Sequence, residues 1–80
     1  MNSNFYRLTT VGDSLPDYAY VSVVVVSGNG TVVFEDAADN ELFEVRSTGP
    51  TVTVEVGCIS VAGFKVKSID SGVVADVVVK

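Results

Sequence analysis

The sequence predicts an all-β protein, a small antiparallel β-sandwich or barrel of about seven strands. The first observation is that 19 of the 80 residues are valine, whose β-branched side chain favours a pleated strand over a helix. The second is that turn-forming residues recur at near-regular intervals between apolar segments of strand length. The third is that no stretch repeats apolar residues at the spacing of an amphipathic helix.

The turn-forming residues divide the chain into strands in order. We place strands near residues 4–11, 19–27, 31–36, 42–47, 51–56, 59–67 and 73–79. Turns at 28–30, 37–40 and 48–49 connect a central antiparallel meander over 19–56. The last two strands form a C-terminal hairpin over 59–79 that turns near residues 70–71. With no linker between the strands, we expect a single β domain over residues 1–80.

Side-chain alternation assigns one face of the meander to the core. The four-residue loop at 37–40 sets Phe34 opposite Phe43 on that face, together with Val21, Val23 and Val25. Glycines at positions 57 and 63 interrupt the alternation, so we expect bulges or bends there.

The opposite face of the predicted sheet is the candidate interaction surface. In the last hairpin, a pairing of Lys65 with Asp76 leaves two valines on the outward face of a strand that has no helix to cover it. Apolar patches larger than roughly a few hundred Å² mark interaction sites in soluble proteins. The candidate interface residues are Tyr20, Val24, Val26, Val33, Leu42, Val74 and Val78.

Length and composition favour assembly over other means of support. A chain of this length buries only about 60% of its unfolded surface, so its stability is marginal. Cys58 is the only cysteine and histidine is absent, which excludes an internal disulfide and argues against a zinc site. Contact with partner subunits is the remaining means of stabilising so small a domain. The formal charge of −5, with scattered basic residues, disfavours a nucleic acid or an anionic membrane surface as partner.

No targeting pattern is present at the start of the chain, so we expect synthesis in the cytoplasm. Residues 1–4 are polar and lack the basic and then apolar pattern of a secretory leader. The longest apolar run, 23–26, is far too short to cross a bilayer.

The residue types that carry catalysis are poorly represented, and we expect no enzyme and no cofactor. Cys58 has no histidine to activate it, so a buried apolar role is the simpler interpretation. Glu35, Glu44 and Glu55 share a flat predicted face rather than the cleft that glycoside hydrolysis needs. The acidic loop 35–41 does not have the spacing of a twelve-residue calcium loop. A solvated hairpin tip is the simpler interpretation, and weak calcium binding remains an alternative.

The chain as a whole resembles the small, valine-rich, all-β accessory proteins of tailed-phage virions. The resemblance lies in segments such as 20–24 (Tyr-Val-Ser-Val-Val) and 51–56 (Thr-Val-Thr-Val-Glu-Val). These decoration or cement proteins commonly form trimers on capsid shells. The resemblance implies a non-enzymatic role in reinforcing a protein shell, a location in the virion, and partners that are the chain itself and that shell.

The sequence therefore predicts a structural interaction protein, homo-oligomeric, that stabilises a larger assembly. The alternative is a small carbohydrate- or peptide-binding β module. In that hypothesis a sugar stacks on Tyr6, Tyr18 or Tyr20, and Asp13 and Asp17 supply flanking polar groups.

Overall fold

A computed structural model describes residues 4–15 and 18–79, without the side chains of residues 4 and 58–60. The described residues form five strands and no helix: β1 (Asn4–Leu8), β2 (Tyr18–Glu35), β3 (Glu41–Ala62), β4 (Lys65–Ile69) and β5 (Val74–Val79). All pairings are antiparallel, in one sheet of order β1-β5-β2-β3 with β4 also paired to β2. The all-β antiparallel prediction is confirmed. The sheet is open at β1 and β3 and has fewer strands than expected.

The two longest strands are bent. β2 has 18 residues and would span about 60 Å if it were straight, whereas the longest dimension of the molecule is 30 Å. Residues 21–27 of β2 pair with β5, residues 32–35 pair with β4, and the turn between β4 and β5 lies beside the intervening segment. The bend therefore divides the sheet into a β5 arm, which also contains β1, and a β4 arm. β3 follows β2 along both arms.

Two glycines make room for this bend. Gly28 has a φ of +103°, and a Cβ atom there would overlap the carbonyl oxygen of Gly72. A Cβ atom on Gly30 would lie 2.6 Å from the Cβ of Asp70 and 2.9 Å from a methyl group of Val73. The turn between β4 and β5 can thus pack directly against the β2 backbone because neither residue has a side chain.

Several predicted turns are bends within strands. The predicted reversals at 28–30 and 48–49 are wrong, since Gly28 pairs with Gly49 inside the continuous β2–β3 ladder. Glycine allows the backbone conformations of both a tight turn and a sharp bend, so the local sequence did not distinguish a turn from a bend. The reversal at 37–40 is confirmed, and Phe34 does face Phe43. The predicted C-terminal hairpin is replaced by two strands that both pair with β2.

A bulge near Ser22 reverses the predicted faces of residues 23–26 in β2. Relative to β5, one extra β2 residue lies between Val21 and Val23. On the other side of β2, strand β3 has extra residues around Gly57, where a bulge was expected. After the bulge Val24 and Val26 point inward and are 0% exposed. Their assignment to an outward interface is therefore wrong, because the extra residue shifts the alternation by one position.

The core lies between the arms and is built mainly from valine and phenylalanine. Phe34 and Phe64 are fully buried and stack with ring centroids 4.9 Å apart, and Phe43 lies 5.3 Å from Phe34. Residues 12–15 add a short antiparallel segment to the free edge of β4 and bring Leu15 into the core. Buried Ser47 is satisfied by donating its Oγ hydrogen to the carbonyl oxygen of Pro50 at 2.8 Å.

Candidate functional site: an outward apolar surface

Apolar side chains form a row across three adjacent strands on the outward side of the β5 arm. Phe5 of β1 stands opposite Val78 of β5, and Val78 stands opposite Val23 of β2. Neighbouring strands lie about 4.8 Å apart, so the three side chains are contiguous. Phe5 is 59% exposed and the two valines are half-buried.

The same face continues along β2 and β5 in both directions. Val25 and Val74 alternate with buried core residues and are half-buried on the outward side. Toward the start of β2, Tyr20 lies on the outward side between buried Ala19 and Val21 and is 52% exposed. We call this set the outer patch. It consists of Phe5, Tyr20, Val23, Val25, Val74 and Val78.

An ion pair lies beside the row. Arg7 Nε donates to Asp76 Oδ1 at 2.9 Å and Nη2 donates to Oδ2 at 3.3 Å. This hydrogen bond, followed by the charge of Asp76, raises the pKa of Arg7 above its usual value. Asp76 pairs with Arg7 rather than with Lys65 as expected, because β1 and not β4 is the neighbour of β5 on that side. The paired charges give the apolar row a polar flank.

Two tyrosines extend the patch at the start of β2. The rings of Tyr18 and Tyr20 meet edge to face, with centroids 6.2 Å apart and an interplanar angle of 71°. Tyr18 is 63% exposed. Edge-to-face packing holds the rings in a defined arrangement while leaving much of both accessible.

The predicted interface residues separate into four groups. Tyr20, Val74 and Val78 lie in the outer patch. Val33 also points outward, but it lies on the β4 arm between polar neighbours, Glu44 of β3 and Ser68 of β4. Leu42 packs against the core and does not join an outward patch, because it is an extra residue between two ladder pairs. The fourth group is Val24 and Val26, in the core.

Three members of the patch are not among the predicted interface residues. Val23 and Val25 were assigned to the core because the bulge at Ser22 was not foreseen. The outward position of Phe5 was predictable from the sequence. Phe5 and charged Arg7 are two residues apart on one strand and point to the same side, whereas Leu8 points to the other side and is buried.

A shallow cleft of about 210 Å³ lies where the loop after β2 meets the end of β3. Asp36, Ala37 and Leu42 line one side and Val61 and Ala62 the other. Asp36 turns its carboxylate toward its own loop, where it accepts hydrogen bonds from the backbone N–H groups of Ala38 and Asn40, each at 2.9 Å. The cleft therefore offers mainly small apolar contacts.

The acidic loop 35–41 is organised by its own hydrogen bonds and by a lysine. Lys65 Nζ lies 2.9 Å from Asp39 and 3.8 Å from Glu35. The hydrogen bond to Asp39 is the main reason that the pKa of Lys65 is raised. Within residues 4–15 and 18–79, no cluster of three or more potential ligand side chains could hold a metal ion. The calcium alternative thus gains no support from this loop.

The titration of Asp36 gives the first testable prediction. Hydrogen bonds from Asn40, chiefly its backbone N–H, lower the pKa of Asp36 below its usual value. The charged carboxylate therefore stabilises the fold fully above the usual pKa, and this contribution disappears as the pH falls through the lowered value. Asp36→Asn should lose less stability than wild type between about pH 7 and pH 3, as measured by urea unfolding. A profile for Asp36→Asn that matches the wild-type profile would contradict the assignment.

Over the described residues, no helix is long and apolar enough to span a bilayer. Comparisons with protein-family models, with curated proteins and with solved structures found no match to this chain.

Proposed function

We propose that this chain is a non-catalytic structural protein that assembles with copies of itself and with a larger protein shell. The outer patch is the observation that carries the proposal. Phe5 and Tyr20 are more than half exposed and adjoin four half-buried valines on one face. Water-exposed apolar area of this kind gains free energy when another protein covers it, by about 25 cal/mol per Å².

The composition of β5 adds support. Its inward side chains are all in the core, and its outward side chains are Val74, Asp76 and Val78. A strand that is apolar on both faces is typical of a sheet covered on both sides. The single charge, Asp76, is neutralised by Arg7 at 2.9 Å, so it opposes the burial of this face less than an unpaired carboxylate would.

The resemblance to tailed-phage decoration and cement proteins suggests what that assembly is. In this proposal the protein reinforces a capsid shell and is located in the virion, and the resemblance favours a trimer. Neither nucleic acid nor membrane is a partner, in keeping with the acidic net charge of −5.

The substitution Val78→Lys tests the use of the outer patch. Val78 lies at the centre of the row between Phe5 and Val23, so a lysine there would place a charge in the buried interface. In the free monomer the lysine can extend its ammonium group into water, so thermal unfolding should change little. We expect the average mass from sedimentation velocity to fall below that of wild type at equal concentration.

Val33→Lys is the matched control. It makes the same change at a half-buried outward valine on the β4 arm, and we expect wild-type sedimentation. If Val78→Lys also sediments like wild type, the outer patch is not the surface used.

The exposed pair Tyr18–Tyr20 favours one alternative, a carbohydrate- or peptide-binding module. The predicted polar support from Asp13 is weakened, because its carboxylate accepts the backbone N–H groups of Thr9 and Thr10 at 2.9 Å and 3.0 Å. Asp17 lies outside the described residues. A glycan or peptide array with hits that disappear in Tyr20→Ala would support this module, and an array with no hits would remove it.

A further inference from the structure

We propose that the free edge of β3 joins two copies of this chain by antiparallel pairing of residues 51–55 about a two-fold axis at Thr53. This inference rests on the self-assembly in the proposed function and assigns it a two-fold interface, which gives a dimer of the chain rather than the trimer that the resemblance favours. β3 ends the strand order of the sheet. In the described part of the chain, the only backbone hydrogen bond that reaches β3 from outside β2 is donated by Ala37 to Ala62 at 2.9 Å. The backbone N–H and C=O groups of 51–55 that point away from β2 are therefore free to pair.

The core is also least completely covered along β3. The apolar residues that pack against the buried cluster without being fully buried are Tyr6, Leu42, Phe43, Val52, Val54, Val56 and Ile69. Most of them belong to β3. A strand added at this edge would cover the remaining area of Val52 and Val54, and it would also pair the backbone groups of the segment that point away from β2.

Residues 51–55 are compatible with pairing to themselves. With Thr53 opposite Thr53 of a second copy, Thr51 stands opposite Glu55 and Val52 opposite Val54. Residues of the same alternation face one another, so the inward valines of both copies lie on the same side of the joined sheet. The only charge is Glu55, and it meets a threonine rather than a second glutamate.

The edge also lacks the usual protection against strand addition. Natural edges carry lysine, proline or inward charges that block pairing. In β3 the proline, Pro50, lies just before the segment and the Gly57 bulge lies just after it. These two features bound the pairing segment and leave its interior open.

A charge exchange at the axis tests the inference. Thr53 is exposed, so Thr53→Glu should leave the monomer folded. In the dimer it would place two glutamates directly opposite each other, with Glu55 of each copy diagonal to them. We expect dimer dissociation constants from sedimentation equilibrium to rise on the order of tenfold or more. An equimolar mixture of Thr53→Glu and Thr53→Lys should restore association as a heterodimer.

Thr10→Lys, at an exposed loop position after β1, is the control and should dimerise like wild type. Any of three results would overturn the inference. Thr53→Glu associates like wild type, the mixture fails to associate, or the wild-type protein is monomeric. The outer patch is tested separately. If only the patch proposal fails, association responds to Thr53→Glu and not to Val78→Lys. Thr53 is the ladder partner of Val25 in the outer patch, so Thr53→Glu alone does not separate the two surfaces. If only the β3 inference fails, association responds to Val78→Lys, and the mixture of Thr53→Glu and Thr53→Lys associates no better than either variant alone.

Discussion

Replacing Phe34 by alanine should lower the free energy of unfolding by about 3–5 kcal/mol. The Phe34 side chain is fully buried and contacts two other rings, with centroids 4.9 Å from Phe64 and 5.3 Å from Phe43. These partners come from different parts of the chain, so the cavity would loosen β2, β3 and the start of β4 together. A domain of this size has only about 4–12 kcal/mol of total stability, and most of it could be lost.

Urea unfolding followed by circular dichroism measures this effect. The control is Val33→Ala, one position earlier on the same strand but outward and half-buried. It should cost less than about 1 kcal/mol. Similar losses for the two variants would mean that Phe34 is not at the centre of the core.

Gly28→Ala should cost about 2–6 kcal/mol, because two effects add at that position. The φ of +103° is one that alanine rarely adopts, which costs about 1–3 kcal/mol. The added methyl group would also collide with the Gly72 carbonyl and lie 3.0 Å from the Cα of Val73. Relieving that overlap requires the turn between β4 and β5 to move, at about 1–3 kcal/mol.

Gly49→Ala separates the two effects. Gly49 is the ladder partner of Gly28 and has a similar φ of +117°, but a Cβ atom there meets nothing within 4 Å. It should show the conformational cost without the collision. We expect a smaller loss of stability than for Gly28→Ala in parallel urea titrations. Equal losses would contradict the close approach of the turn to β2.

Local sequence predicted the fold class and part of the register. The valine content and the loop at 37–40 were sufficient to place Phe34 opposite Phe43, because a short loop with turn-forming residues fixes its flanking pairs. The same reasoning could not predict that β2 continues through Gly28 and that β3 continues through Gly49. A bend depends on what packs inside it, here the distant turn at Gly72, and that contact is invisible to a local pattern.

The candidate site was predicted where alternation is regular. In β5 every second residue is buried without interruption, so Val74 and Val78 were placed correctly on the outward face. In β2 the bulge at Ser22 shifts the alternation, and Val24 and Val26 were exchanged with Val23 and Val25. Bulges are set by pairing with both neighbouring strands, which the sequence of one strand does not specify.

One copy of the chain encloses a core of its own. Its accessible surface is 4512 Å², close to the roughly 4,600 Å² expected for a monomeric protein of this mass. Self-assembly is therefore not a requirement for burying a core. The reason to expect it lies in what remains outside, namely Phe5, Tyr20 and the valines of the outer patch, and the open edge of β3.

Sedimentation equilibrium of the wild-type protein over a wide concentration range tests this expectation most directly. One chain has a mass of 8.4 kDa. We predict an average mass above that value which increases with concentration, since outward apolar area and an unpaired edge both favour association. A mass of one chain at every concentration would contradict self-assembly and leave the outer patch without a role in it.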